Sequence, residues 1–148
     1  MRRTAAWASL FLVPLLAGGC TDTTELSLLR VSGTVVLPQG AAGDINLIAF
    51  QVHSLTGELS HPLQRIEQWQ SPTTAFAHDI QYPITQGEGI AVFAWLDVDG
   101  DGVHCTPEFR DEPAGLAVAD TIDGNINFTV ELTTNCVGAD WFYPAAPK

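Results

Sequence analysis

The sequence is short of positive charge. Six Lys and Arg stand against 17 Asp and Glu in 148 residues, a formal net charge of −11, and Lys148 is the sole lysine. Such a chain is repelled by polyphosphate backbones and by anionic head groups, which sets nucleic acid aside as a partner. Charged residues amount to only 16%, whereas apolar ones reach 46%. That is enough apolar material for a core and argues against wholesale disorder. Helix-type sequence is scarce as well. With one Met, thirteen Gly and nine Pro, and no stretch of about 12 residues holding an amphipathic 3.6-residue period, a helical bundle is excluded. The length suits one domain.

No apolar run is long enough to span a bilayer, but the longest carries an address. Arg2 and Arg3 precede an apolar stretch from Ala5 to Leu16, interrupted by Ser9 and Pro14, and then the small residues Ala17, Gly18 and Gly19. This is the three-part layout of a secretory signal. Its end, Leu16-Ala17-Gly18-Gly19-Cys20, resembles the lipobox of bacterial lipoproteins, which implies cleavage before Cys20 and lipidation of its sulfur and amine. The alternative is an ordinary signal peptide that contains a cysteine. In that family Thr21 in place of Asp after the cysteine implies delivery to the outer membrane. Residues 1–19 are then the signal and 20–28 the lipidated cysteine with a polar tether. Losing Arg2 and Arg3 leaves 4 Lys and Arg against 17 acids, formally −13. Two or more acyl chains anchor a protein without help from a basic patch.

Three cysteines are an odd number for an exported chain. If Cys20 is lipidated, Cys105 and Cys136 remain as an even pair, and an oxidising compartment makes a disulfide the default. Closing a loop of about 32 residues is worth roughly 3–4 kcal/mol on the chain-entropy model. The alternative is two buried thiols. A zinc site is poorer, because the cysteines lack CxxC spacing and His104 is the direct neighbour of Cys105.

The body, 29–137, reads as strands. Leu29 to Leu37 alternates with Val31, Val35 and Leu37 on one face. The segment 38–44 is a loop, and Ile45 to Val52 is a strand apolar on both faces, with ambiguous register. Thr56-Gly57 marks a turn. Leu63 to Gln70 is either a strand or one to two helical turns. Phe76 to Tyr82 alternates and puts His78 on the apolar face, as a partly buried core residue rather than a ligand. Gly87-Glu88-Gly89 leads into Ile90 to Leu96, the most apolar strand. Ala114 to Ala119 is a candidate short strand. Asp123-Gly124 is a tight-turn signal before Asn125 to Leu132, which keeps strict period two. Six or seven short strands over roughly 110 residues predict an all-β, antiparallel two-sheet sandwich. The run Val31-Ser-Gly-Thr-Val35, an apolar strand ending Ala49-Phe50, a strand ending Phe93-Ala94-Trp95-Leu96-Asp97 and then Glu112-Pro113-Ala114-Gly115 together resemble the transthyretin-like, or carboxypeptidase-regulatory-like, β-sandwiches of exported proteins. That resemblance implies a fold and no particular function.

One segment carries identifiable chemistry. Residues 97–108 read Asp-Val-Asp-Gly-Asp-Gly-Val-His-Cys-Thr-Pro-Glu. Calcium is a hard cation that wants six to eight oxygens, and alternating carboxylates in a tight loop converge on one point. With Asp97 as position one, Asp99 and Asp101 fall at three and five, Gly102 at the sharp turn, Val103 where a backbone carbonyl ligates, and Glu108 at the bidentate twelfth position. The pattern resembles an EF-hand loop, yet His104 and Pro107 depart from it and the preceding segment is a strand. It is therefore read as a strand-flanked calcium loop with no helix-opening switch, the alternative being a solvated acidic turn. Magnesium, which keeps its waters, suits such an all-protein cage less well.

Asp97-Val98-Asp99-Gly100 also resembles the first motif of haloacid-dehalogenase-type phosphatases. Asp101 stands where that family has Thr, and no parallel α/β pattern follows, so the reading is rejected. No Gly-x-Ser-x-Gly, His-Glu-x-x-His or phosphate loop occurs. The remaining hint is aromatic. Ile90, Val92, Ala94 and Leu96 share one face of their strand, leaving Phe93 and Trp95 on the other, where they need a cover. The C-terminal tail, 138–148, supplies one through Trp141-Phe142-Tyr143; otherwise Phe93 and Trp95 form a surface for a protein or carbohydrate partner. The expectation is a non-enzymatic, lipid-anchored, calcium-stabilised binding or structural module of the cell envelope. The competing expectation is an accessory hydrolase with carboxylate catalysis, which requires a deep carboxylate pair away from 97–108.

Overall fold

The computed structural model describes residues 25–53, 63–84, 88–122 and 124–142. The signal segment, Cys20, most of the tether, the Thr56-Gly57 turn, Gly87, Asp123 and Tyr143 lie outside the described residues. Eight strands and one short helix are described: β1 Leu26–Val36, β2 Asp44–His53, β3 Gln64–Ser71, β4 Ala75–Pro83, β5 Glu88–Asp97, β6 Pro113–Ala119, β7 Ile126–Glu131, β8 Thr134–Asn135 and α1 Ala139–Phe142. They build two sheets, one in the order β4-β1-β7 and one in the order β3-β2-β5-β6-β8. The all-β sandwich expected from the sequence is the architecture observed.

Alternation explains which face of each strand goes inward. Leu29, Val31 and Val35 of β1, Phe76, Ile80 and Tyr82 of β4, and Ile126, Phe128 and Val130 of β7 meet Ile45, Leu47 and Ala49 of β2 and Ile90, Val92, Ala94 and Leu96 of β5 in one buried core. Period-two side chains on two facing sheets interdigitate in this way, and their burial is the main driving force. All strand pairs are antiparallel except β1 with β7, which run parallel with Val35 opposite Val130. β7 enters the three-stranded sheet from the opposite sheet, after β6, and this crossover sets its direction. At Gly33 the two backbones come so close that a Cβ would overlap the carbonyl oxygen of Phe128.

The ambiguous segments have physical explanations. β3 is a strand, antiparallel to β2. It lies at a sheet edge with only Ile66 and Trp69 packed on the core, so its alternation is diluted by polar residues. β2 is apolar on both faces because both are covered: Ile45, Leu47 and Ala49 pack inward, and Ile48 and Phe50 pack on the outer face. The register between β2 and β3 shifts between Ala49 and Phe50 by skipping Ile66, so the extra residue lies on β3, while β2 pairs with β5 without a shift. His78 faces inward from β4, stacks on Trp69 at 4.7 Å, and meets Glu67 through Nε2 at 2.9 Å. It is a partnered, half-buried side chain, as its place in the alternation suggested.

Candidate metal centre

β5 delivers Asp97 to the end of the five-stranded sheet, 3% exposed and opposite Asp44 of β2. The chain then leaves the sheet and turns back on that carboxylate. Asp97 Oδ1 accepts the N–H of Gly100 at 2.7 Å, and Oδ2 accepts that of Gly102 at 2.8 Å. Both glycines hold left-handed backbone, with φ of 77° and 76°, a region other L-residues enter at a cost of roughly 1–2 kcal/mol. Two more carboxylates continue the winding. Asp99 Oδ1 accepts the N–H of Asp101 at 3.2 Å, and Asp101 Oδ1 accepts that of Val103 at 2.7 Å.

The return of the loop is fixed covalently. Cys105 and Cys136 form a disulfide with their Cα atoms 5.5 Å apart, the pairing left by the cysteine count. Both residues are left-handed, with φ of 55° and 57°. Between Cys105 and β6 lies a tight turn, in which Thr106 N donates to the Phe109 carbonyl at 3.0 Å and Phe109 N to Thr106 Oγ1 at 3.1 Å. Pro107 and Glu108 occupy its exposed tip. Beyond it Glu112, 1% exposed, points back into the loop. Its Oε1 accepts the N–H of Val98 at 3.2 Å, and its Oε2 accepts that of Cys105.

Ligand atoms of Asp97, Asp99, Asp101 and Glu112 all lie within 4.8 Å of one another. Three of these acids are the ones the spacing singled out. The fourth was not singled out: Glu108, expected at the twelfth position, lies on the exposed Thr106–Phe109 turn and is not among the four, whereas Glu112 is. Counting to twelve presumes a loop of helix-flanked length, whereas here the turn inserts residues before the chain re-enters a sheet. A sequence signal did exist, since Glu112 is the acid directly before the apolar run of β6. Val103, 53% exposed, follows the cluster on the loop.

The donor set is chemically coherent for a hard cation. Four carboxylates of like charge repel one another, and a divalent ion at their centre reverses that repulsion. Asp99 and Asp101 each keep one oxygen with no hydrogen bond among the described residues, and a carboxylate oxygen that accepts one N–H has a second lone pair to offer. His104 contributes no ligand. Its ring lies 5.7 Å from Phe93 and 5.6 Å from Trp95. Burial pushes its pKa below the ordinary histidine value, opposed in part by a hydrogen bond to the Glu112 main chain and by the Glu112 charge.

Phe93 and Trp95 are 3% and 4% exposed, so the two rings do not form an exposed platform. Ala139 and Phe142 of α1 cover them together with Ile48, Phe50 and Leu116, and Phe142 lies 6.2 Å from Phe93. Trp141, by contrast, is 72% exposed. Among the described residues the buried carboxylates are Asp97 and Glu112, both members of this cluster. Comparison with protein-family models, with curated proteins and with solved structures finds no match.

Proposed function

We propose that the chain is a lipid-anchored module of the cell envelope whose β-sandwich carries a structural calcium ion and serves binding or architecture rather than catalysis. The observation that carries this reading is the convergence of Asp97, Asp99, Asp101 and Glu112 on one point at a sheet end, in a loop held by a disulfide. Calcium suits four carboxylates with further positions filled by water or a loop carbonyl such as that of Val103. The disulfide fits an oxidising compartment, and the signal segment ending in Cys20 supplies both export and anchor, with the outer membrane as destination. An ion at this strand end holds the 97–112 excursion closed against β6 and the Cys136 segment.

Mass spectrometry of the protein from bacterial membranes tests the anchor. The expected result is an N-terminal peptide that starts at Cys20 and carries lipid, with Cys20→Ser moved to the soluble fraction. Thermal melting tests the ion. Modules outside the cell bind calcium at roughly 10⁻⁴–10⁻³ M, so millimolar calcium adds ~0.4–1.4 kcal/mol by mass action. The expected upward shift in Tm is about 2–6 °C. An unlipidated mature protein removes the anchor, and an unchanged Tm removes the ion.

A further inference from the structure

The outer face of β1 changes character along its length. Leu26, Leu28, Arg30, Ser32 and Thr34 alternate on the side turned away from the core, and a solvated face of this kind is ordinarily polar. Here its first two positions are leucines, 57% and 74% exposed, and no large apolar side chain among the described residues is more exposed than Leu28. The end of β4 extends the apolar surface. Pro83 stands opposite Leu26 in the register, and Ile84, 43% exposed, donates its N–H to the Glu25 carbonyl at 2.8 Å. Leu26, Leu28 and Pro83 also line a groove of about 650 Å³ that reaches Arg65 at the β3 edge. Arg30, paired with Asp79, and Arg65, bonded to Gln68, are two of the four cations that follow Cys20.

This patch lies where the chain arrives from Cys20. Five residues lead from Cys20 to Glu25, a reach of at most ~18 Å even when fully extended. A bilayer that holds acyl chains on Cys20 is therefore never far from Leu26. The acidic loop lies at the other end of the sandwich. Tyr82, opposite Ser27 of β1, donates its hydroxyl to the Gly89 carbonyl, so β5 begins at the Leu26 end. From Glu88 to Asp97 that strand spans roughly 30 Å.

We propose, on the reading that Cys20 is lipidated, that Leu26, Leu28 and Ile84 dip into the headgroup region of the bilayer that carries the anchor. The sandwich then stands on this end and presents the 97–112 loop to the aqueous side. Apolar side chains at a membrane interface leave water much as they do in a core. A weak contact is enough, because the tether raises its effective concentration. The lipid surface it fits is zwitterionic. With a formal charge of −13 from Cys20 onward the chain is repelled by an anionic surface, and Arg30 and Arg65 beside the leucines answer lipid phosphates.

The test places the full chain, lipidated on Cys20, in phosphatidylcholine vesicles with a nitroxide on Leu28→Cys or on Thr34→Cys. Both positions are exposed on one face of β1. With Cys105 and Cys136 bridged and Cys20 lipidated, the introduced thiol is the one that reacts. The expected result is that the label at position 28 loses most of its collisions with a water-soluble nickel complex and gains collisions with oxygen. The label at position 34, roughly 20 Å along the strand, keeps its nickel contact. Because a nitroxide is itself apolar, Ile84→Cys is labelled in the chain with both leucines and in Leu26→Ser/Leu28→Ser, where nickel access should return. Flotation with the vesicles separates the two claims. Protein that does not float overturns the anchor and this orientation with it. Floated protein whose label at 28 meets nickel as often as that at 34, or whose label at 84 is indifferent to the leucines, overturns the orientation and leaves the anchor standing.

Discussion

The carboxylate of Glu112 accepts the main-chain N–H of Cys105, the residue whose side chain is bridged to Cys136. The Glu112 main-chain carbonyl in turn accepts the N–H of Cys136 at 3.0 Å. One residue therefore holds both halves of the disulfide and, through Val98, the exit of β5 as well. Geometry at the acidic cluster and geometry at the cross-link are one constraint. Whatever moves Glu112 moves the acidic cluster.

Two glutamates that look equivalent in sequence should behave differently. Glu112→Gln removes a clustered charge, and it should weaken calcium binding by about tenfold or more, equivalent to ~1.4 kcal/mol. Glu108→Gln, on the exposed turn, should leave affinity within about twofold. Calorimetric titration of both variants decides the assignment. Equal losses would return Glu108 to the ligand set.

Opening the disulfide should act on stability and on the ion together. The cross-link closes a 31-residue separation, worth roughly 3–4 kcal/mol on the chain-entropy model. Without it the loop loses more entropy when it closes over calcium, so affinity falls too. Denaturant melts and calcium titrations of the oxidised protein and of Cys105→Ser/Cys136→Ser measure both. Equal affinity in the two proteins would sever the coupling.

The outer aromatic cluster should behave as core. Phe93→Ser with Trp95→Ser removes two side chains that are almost wholly buried, and large-to-small changes of this kind cost roughly 3–5 kcal/mol each. Phe142→Ala, at the half-buried edge of the same cluster, should cost less. Urea unfolding midpoints rank the three chains. A double variant that melts like the parent would show that α1 does not hold these rings down.

Much of this molecule was legible because sandwiches write their burial into period two. The split of β5 into an inner Ile90, Val92, Ala94 and Leu96 and an outer Phe93 and Trp95 follows from alternation alone, and the structure keeps it. β8 was not legible, since two residues, Thr134 and Asn135, carry no period. The parallel pairing of β1 with β7 was hidden for another reason: alternation fixes a strand's faces and leaves its direction open. At the loop, Asp97, Asp99 and Asp101 were found because local spacing brings them together. Glu112 was missed because a turn and a cross-link, both non-local in effect, decide which acid joins the cluster.

The ion proposed for the 97–112 loop is calcium. The most direct measurement is calorimetric titration of calcium into the oxidised, chelator-washed full chain, beside Asp99→Asn/Asp101→Asn. Both substituted residues are exposed, so the variant keeps its core while losing two ligands. The expected result is a single saturable site in the parent, at roughly 10⁻⁴–10⁻³ M, and no measurable site in the variant. Absence of calcium heat in the parent, or the same isotherm in both proteins, would contradict it.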